Sequence, residues 1–388
     1  MLNFELYNPT NYIFGKNQIE KLANLIPAHA KVLLAYGGGS IFKNGIHKQV
    51  TEHLKGFEVI EFGGIEPNPR FETLMKAVEI IRTEKITFIL AVGGGSVIDG
   101  VKFISGAVNY EGNAVDILKN RILFKDILKV IPFGTILTLP ATGSEMNSGA
   151  VITIEATQEK LTLGGSALFP QFSICDPTVI QSLPKRQLQN GVVDAFTHVL
   201  EQYMTYSVDA KLQDRLAESI LQTLIEVAPA ILKDPSDYKA ASNFMWSCTM
   251  ALNGLIQQGV PSDWAIHMMG HELTALFGID HARTLAIIAE SHYKYNLESK
   301  KDKLAQYAER VWKIEGGTTE EKALAGIKLT TAFFHSLGIK TTLSEYTEEY
   351  EGTAQIISKR FEERGWKGIG EHGKVTPIDV QKIVEMSY

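Results

Sequence analysis

The chain has 388 residues, of which 45% are hydrophobic and 21% are charged, and its formal net charge is −6. This length suggests two domains, each with enough sequence for a sizeable core. The mildly acidic balance, with no long run of one charge sign, excludes a protein that binds nucleic acid through a basic surface.

Three features predict a cytoplasmic protein. The first residues lack a cationic region followed by an apolar core, so we expect no secretory signal. Cys175 and Cys248 lie far apart in apolar surroundings, which is typical of buried thiols in a reducing compartment. Residues 240–262 carry no charge, but polar residues are spread through them, which favours a buried helix over a membrane span.

The first half of the chain alternates between predicted strands and helices. Strands are predicted at 32–36, 57–62, 87–92 and 132–139, and the continuous apolar runs in the first and third are typical of strands buried on both faces. Both runs lead into a glycine-rich turn and then into a segment with helical periodicity. This alternation indicates a doubly wound α/β domain with a parallel sheet.

The pattern changes near residue 180. Residues 151–154 and 161–163 predict a hairpin or short edge strands, and residues 172–175 predict one more short strand. From about Ser182 the period is helical nearly to the end of the chain. We therefore predict an α/β plus all-α protein, with a Rossmann-like domain at 1–180 and an all-helical domain at 181–388.

Two glycine turns are candidates for a nucleotide site. Gly37-Gly38-Gly39-Ser40 and Gly93-Gly94-Gly95-Ser96 each follow a predicted strand and precede a predicted helix. Glycine lets the backbone approach a ligand closely, and a helix N-terminus offers N–H groups to an anion. Two such turns suit the pyrophosphate of a dinucleotide. Neither has the GxGxxG pattern, and tight turns of this kind also occur without a ligand.

Four of the ten histidines fall in the stretch from Asp194 to His281. Asp194 and His198 are four residues apart, as are His267 and His271, and side chains at this spacing share one helix face. A carboxylate with several imidazoles suits Zn²⁺ or Fe²⁺. The stretch offers five ligands for four places, and spacing does not rank His267 against His271. Histidines on apolar helix faces can also be buried structural residues.

A nucleotide and a metal together suggest hydride transfer to or from a carbonyl that the metal polarises. The motifs that carry this chemistry resemble those of the iron-containing (group III) alcohol dehydrogenases. The resemblance rests on 93–99, 140–145 and 194–198 with the downstream histidines, and it extends over essentially the whole chain. Residues 61–69 and 191–196 are similar to the butanol dehydrogenase and NADPH-dependent aldehyde reductase branch.

The resemblance implies a dehydroquinate synthase-like fold, with a nucleotide-binding domain followed by a helical metal-binding domain. It implies one divalent metal, zinc or iron, held by Asp194, His198, His267 and His281. His271 then matches a nearby histidine that is not a ligand, and we expect the proton for the product alkoxide to come from solvent or through His271.

The resemblance also implies NADP(H). The expected cofactor-binding residues are Gly37, Gly38, Ser40, Asn68, Gly94, Gly95, Ser96, Asp99, Thr138, Thr142, Asn147 and Lys160. Thr138 and Thr142 can also be ordinary strand-end residues, and Asp99 can be a helix-terminus carboxylate. NAD-using relatives commonly have an aspartate in the first turn, where this chain has uncharged Gly38, although Glu61 is an alternative ribose-binding acid.

The resulting hypothesis is a homodimeric NADP(H)-dependent enzyme that interconverts small aldehydes and primary alcohols. A metal- and NAD-dependent cyclising lyase of the dehydroquinate synthase type is an alternative, but it should need basic residues around the metal, and the sequence has none close to Asp194 or His267. A non-catalytic zinc-binding module is another. Such a module would tend to have four closed ligands, often cysteines, and it leaves the glycine turns unexplained.

Overall fold

A computed structural model describes residues 1–119 and 129–388 of the chain. These residues form two compact units. The α/β unit comprises Tyr7–Pro184 and Asp234–Asn253, and the helical unit comprises Met1–Leu6, Lys185–Lys233 and Gly254–Tyr388. The chain therefore passes between the units four times, after Leu6, Pro184, Lys233 and Asn253. The domain division at residue 180 stays a prediction.

A parallel sheet of six strands forms the centre of the α/β unit, in the order β1-β8-β5-β4-β2-β3. An antiparallel hairpin, β6-β7, falls between β5 and β8 in the sequence. The strands are β1 (Asn11–Phe14), β2 (Lys31–Tyr36), β3 (Glu58–Phe62), β4 (Phe88–Gly94), β5 (Phe133–Leu139), β6 (Gly149–Ile154), β7 (Glu159–Gly164) and β8 (Phe172–Cys175). The predicted strands, the hairpin and the α/β plus all-α class are confirmed.

The helices alternate with strands in the first half and follow one another in the second. They are α1 (Leu22–Leu25), α2 (Ser40–Lys43), α3 (Ile46–His53), α4 (Phe71–Glu84), α5 (Gly95–Ala107), α6 (Val115–Lys119), α7 (Lys185–Tyr203), α8 (Lys211–Lys233), α9 (Tyr238–Leu252), α10 (Ala265–Phe277), α11 (His281–Tyr295), α12 (Leu297–Arg310), α13 (Thr319–Ser336), α14 (Thr353–Glu363) and α15 (Pro377–Glu385). In the described part of the chain, no helix is both long and apolar enough to cross a lipid bilayer.

Burial explains the order of the sheet. The apolar residues 32–35 of β2 and 88–92 of β4 are completely buried, as the continuous apolar runs predict for inner strands of a parallel sheet. Helix α5 follows β4 directly, contacts β4, β6 and α4, and is buried on nearly all sides. The strand-turn-helix unit around Gly93–Ser96 therefore lies in the core of the α/β unit.

One prediction about the uncharged stretch is wrong in part. Residues 240–252 form a buried helix, but α9 ends at Leu252 instead of continuing to residue 262. The chain turns at Gly254, whose φ of 93° favours glycine, and Pro261 lacks the N–H that a continued helix would use. Both cysteines are buried free thiols, as predicted.

Candidate functional site

Helix α7 carries two of the predicted metal ligands on one buried face. Asp194 and His198 are each 4% exposed. The Oδ1 atom of Asp194 lies 3.8 Å from Nε2 of His198 and 3.7 Å from Nε2 of His281. His281 is the first residue of α11, so the short connection between α10 and α11 brings it to the α7 face.

His267 joins this group from the first turn of α10. Its ring stacks on that of His198, with 4.7 Å between the ring centroids, and lies 5.2 Å from the ring of His281. One donor atom from each of Asp194, His267 and His281 lies within 4.8 Å of the other two. All four residues predicted to hold the metal are therefore brought together in the helical unit.

The chemistry of this cluster fits a divalent metal. Asp194 Oδ1 is buried and accepts no hydrogen bond from the described residues, and a buried carboxylate oxygen without a donor is costly. A cation would satisfy it. Metal–ligand bonds of about 2.0–2.2 Å separate neighbouring ligand atoms by roughly 3–3.5 Å, close to the separations around Asp194. Carboxylate and imidazole donors together suit zinc or iron.

His271 lies one turn beyond His267 and borders the cluster. Its ring centroid is 5.0 Å from that of His281 and 6.2 Å from that of His267. The neighbouring carboxylate of Glu272 is ion-paired with Arg360 and Arg364. His271 is placed beside the proposed ligands, and its role in proton relay stays a prediction.

Two carboxylates that we did not predict hold the start of α10. Asp263 Oδ1 accepts a hydrogen bond from the N–H of Ala265 at 3.0 Å. Glu201 accepts the next two N–H groups, those of Ile266 and His267, at 2.7 and 3.2 Å. Burial and the Asp263 charge raise the pKa of Glu201, and the two backbone hydrogen bonds oppose that rise. The signal was available, since Glu201 follows Asp194 by seven residues and so shares its helix face.

A second unpredicted contact holds the loop before His281. Asp280 Oδ2 accepts hydrogen bonds from Arg186 Nε at 2.6 Å and Asn190 Nδ2 at 2.7 Å. Burial would raise the pKa of Asp280, but these bonds outweigh it and hold the pKa below its usual range. Arg186 and Asn190 precede Asp194 on α7 at four-residue spacing, so one helix face fixes the loop and supplies a ligand.

The first glycine turn leaves open space beside the backbone. Strand β2 ends at Tyr36, and Gly39, with φ of 93°, leads into the short helix α2. A Cβ atom added at Gly38 would meet no heavy atom within 4 Å. Packing therefore does not require glycine at position 38, whereas the left-handed backbone favours it at position 39.

The second glycine turn is packed closely. A Cβ atom at Gly95 would lie 2.4 Å from Oγ1 of Thr142, so a side chain at Gly95 would displace that threonine. The Asn68 N–H donates to Ser96 Oγ at 3.3 Å. Four of the predicted cofactor residues, Gly95, Ser96, Thr142 and Asn68, are thus brought together where α5 begins.

Two other predicted cofactor residues belong to an internal polar network. The buried Lys102, which we did not predict, donates to Ser144 Oγ and Asn147 Oδ1 at 2.8 Å each and to the Gly149 carbonyl at 2.7 Å. Asp99 accepts from Ser144 Oγ at 2.6 Å. Burial lowers the pKa of Lys102 to about 8. Asp99 and Asn147 therefore hold the 144–149 segment in place, whatever else they bind.

The other predicted cofactor residues also lie in the α/β unit. Thr138 in β5 and Lys160 in β7 are buried, with 7% and 8% exposure. Gly37 and Ser40 flank the open first turn, and Gly94 is the last residue of β4. Every predicted cofactor residue therefore lies in one unit, and every predicted metal or catalytic residue lies in the other.

Comparison with known proteins confirms the family resemblance along the whole chain. The family described as iron-containing alcohol dehydrogenase matches residues 9–177, and its C-terminal counterpart, the Fe-containing alcohol dehydrogenase family, matches residues 189–388. The NADPH-dependent aldehyde reductase YqhD of Escherichia coli is 50% identical over 99% of both chains. The probable NADH-dependent butanol dehydrogenase 2 of Bacillus subtilis is 42% identical over the full length of both.

A solved structure agrees with these sequence relationships. The crystal structure of E. coli K-12 YqhD superimposes with a TM-score of 0.97 at 49% identity, over 100% of this chain and 99% of that one. The fold of this chain is therefore that of this relative.

Proposed function

This chain belongs to the iron-containing alcohol dehydrogenase family, and we propose that it is an NADPH-dependent enzyme that reduces small aldehydes to primary alcohols with the help of one divalent metal. The reaction class, oxidoreduction between aldehydes and alcohols, follows from relatives that match the chain from end to end. The observation that carries the metal is the buried Asp194 carboxylate with three histidines around it. Zinc or iron would occupy this place.

Each group has a defined task in this proposal. When bound, the metal supplies Lewis-acid polarisation of the substrate carbonyl, and NADPH supplies the hydride. Asp194, His198, His267 and His281 would hold the metal. His271, one turn from His267, would pass a proton towards the oxygen of the product. The turns that follow β2 and β4 would bind the phosphates through backbone N–H groups.

The proposed cyclising alternative has less support. A phosphorylated, polyhydroxylated substrate would call for several cationic groups near the metal. The cationic groups closest to the cluster in sequence, Arg186 and Arg283, are engaged with Asp280. The relatives that match the full chain have names of aldehyde reductases and butanol dehydrogenases.

We propose that the first glycine turn, after β2, determines the preference for NADPH over NADH. A carboxylate that accepts hydrogen bonds from the ribose 2′-hydroxyl would repel the 2′-phosphate of NADPH. Gly38 has neither charge nor bulk, and the space beside it is open. Glu61, the other candidate acid, already accepts a hydrogen bond from the Tyr36 hydroxyl at 3.0 Å and lies 3.1 Å from His47 Nε2. These contacts favour Gly38 as the determinant.

Replacing Gly38 with aspartate tests this preference. We expect the KM for NADPH to rise at least about tenfold, the effect of about 1.4 kcal/mol of lost binding, while the KM for NADH is spared. A Cβ atom at Gly38 would meet no heavy atom within 4 Å, so we expect electrostatic repulsion to be the main change. Gly38→Asn is the matched control, because it adds the same bulk without the charge. An unchanged KM for NADPH in Gly38→Asp, or a wild type that prefers NADH, would indicate that Glu61 determines the choice of cofactor.

We also propose that the protein is a homodimer in the cytoplasm. Strand β1 lies at the edge of the sheet. Its last residue, Phe14, and the neighbouring Trp246 are 38% and 43% exposed. An edge strand with exposed aromatic residues is a surface that a second copy of the chain would cover. The buried free thiols Cys175 and Cys248 are typical of a reducing compartment.

The function is tested by mixing the purified protein with NADPH and butanal and following the absorbance of reduced nicotinamide. The proposal predicts stoichiometric loss of NADPH and formation of butanol. A cyclising lyase would cause no net loss of NADPH, and a non-catalytic zinc module would leave both compounds unchanged. A series of aldehydes of increasing chain length then defines the substrate range.

A further inference from the structure

The carboxylate of Glu201 lies one turn beyond two of the proposed metal ligands on α7. It is 1% exposed, and it follows His198 by three residues and Asp194 by seven, so the three side chains share one face. Both of its oxygens are directed to the first turn of α10. Oε1 accepts the N–H of Ile266, and Oε2 accepts the N–H of His267 and also contacts Nδ1 of the same residue.

The start of α10 needs such a partner. The first N–H groups of a helix have no acceptor within the helix, and the residue that precedes α10, Trp264, has no side-chain oxygen to accept them. Asp263 satisfies the N–H of Ala265, and Glu201 satisfies the two that follow. A negative charge at this end is further stabilised by the helix dipole. Glu201 therefore fixes the backbone of the turn that carries His267.

The same carboxylate also orients the His267 ring. Both oxygens of Glu201 accept backbone N–H groups, and an oxygen in this acceptor role that contacts Nδ1 requires the imidazole proton on that nitrogen. The lone pair is then on Nε2, the nitrogen through which the ring can bind a metal. A histidine whose second nitrogen donates to a carboxylate is held in one tautomer and one orientation, and it becomes a more basic ligand.

We propose that Glu201 is a positioning residue that fixes both the backbone and the ring of His267 for metal binding. This inference rests on the proposed metal site. It differs from a purely structural role, in which Glu201 would only cap α10. Loss of a structural cap lowers stability, whereas loss of a positioning residue lowers metal affinity in protein that is still folded.

The test compares metal affinity in Glu201→Ala, Glu201→Gln and a control, Glu218→Gln. Glu218 is also a buried carboxylate, 7% exposed, but it bonds Tyr203 and Arg310 instead of the cluster. Each protein is stripped of metal, checked for folding by circular dichroism, and titrated with Co²⁺ against a chromogenic chelator. The visible spectrum of bound Co²⁺ reports the geometry of its ligands, which a structural cap alone would not change.

We expect Glu201→Ala to lower Co²⁺ affinity about 10- to 100-fold and to shift the Co²⁺ spectrum. Glu201→Gln should fall between this variant and the wild type, because its amide oxygen can accept from Nδ1 while its NH₂ group faces a backbone donor. Glu218→Gln should stay within about twofold of the wild type, since it shares no partner with the cluster. If Glu201→Ala does not fold, the Co²⁺ affinity and spectrum of Glu201→Gln test the inference.

Wild-type affinity and an unchanged spectrum in the folded Glu201 variants would overturn the inference. In that case the proposed function would stand, because the wild type would still bind Co²⁺. A wild-type protein that binds no Co²⁺ would instead contradict the metal site itself, and with it this inference.

Discussion

Replacing His267 with alanine is expected to strip the metal from the helical unit and to abolish aldehyde reduction in parallel. His267 is one of four proposed ligands, and its ring stacks directly on that of His198. Four-ligand zinc sites contribute about 10–16 kcal/mol of apparent binding free energy, so one ligand accounts for roughly 2.5–4 kcal/mol, or about 10²- to 10³-fold in affinity. Metal content by mass spectrometry and the rate of NADPH oxidation measure both losses.

His271→Ala is the matched control for this prediction. It changes the same residue type on the same helix, and the two histidines are almost equally buried, with 6% and 8% exposure. We expect this variant to retain the metal, whatever it does to the rate. A variant of His271 that loses its metal while His267→Ala keeps it would reverse the assignment of the ligand.

Replacing Lys300 with methionine is expected to give the largest loss of stability. Its side chain is 4% exposed, and the ammonium group donates to the carboxylates of Asp263 and Glu371 at 2.8 and 2.7 Å and to the carbonyl of Met204 at 2.7 Å. Burial alone would lower the pKa of Lys300, but the two carboxylates reverse this effect and raise the pKa, so the group stays charged. Removing it leaves two buried carboxylates without their cation.

Breaking a buried ion pair from one side costs about 3–5 kcal/mol, and we expect Lys300→Met to lower the free energy of unfolding by this amount. Lys301→Met is the control, because Lys301 is adjacent on α12 but 38% exposed, and exposed pairs contribute about 0–1 kcal/mol. Urea unfolding followed by circular dichroism compares the two variants. Equal midpoints would show that the Asp263 network does not stabilise the helical unit.

The sheet was predictable because its inner strands leave a strong signal in the sequence. The apolar runs at 32–36 and 87–92 contain almost no polar residue, and both are completely buried next to each other in the sheet. Two helices also begin at local capping signals, since Thr318 and Thr376 each form a capping box with the residue three positions later. Local chemistry was sufficient for these features.

The passage of Asp234–Asn253 into the α/β unit was not predictable in the same way. The segment carries no charge from residue 240 onward, which favours burial, but nothing in its own residues indicates which unit buries it. Its place follows from contacts far away in sequence, such as the hydrogen bond from Thr249 to Glu145 and the ring contact between Trp246 and Tyr12. Single-segment patterns do not contain this information.

The metal site was only half determined by spacing. The four-residue intervals indicated which side chains share a face, but choosing between His267 and His271 needs the position of the first turn of α10 relative to α7. Glu201 and Asp263 set that position from outside the helix. Buried charges such as Glu201 and Lys102 stand in apolar segments, and this contrast is the signal that could have identified them from sequence.

The central claim is that the cluster around Asp194 holds a metal that turnover requires, while the glycine turns bind the nucleotide by themselves. The most direct test is to chelate the metal and then measure NADPH fluorescence and butanal-dependent NADPH oxidation on the same protein. We predict that the apoprotein still shifts NADPH fluorescence, shows no turnover, and regains activity when Zn²⁺ or Fe²⁺ is restored. Full activity of the metal-free protein would contradict the claim, and so would an apoprotein that no longer binds NADPH.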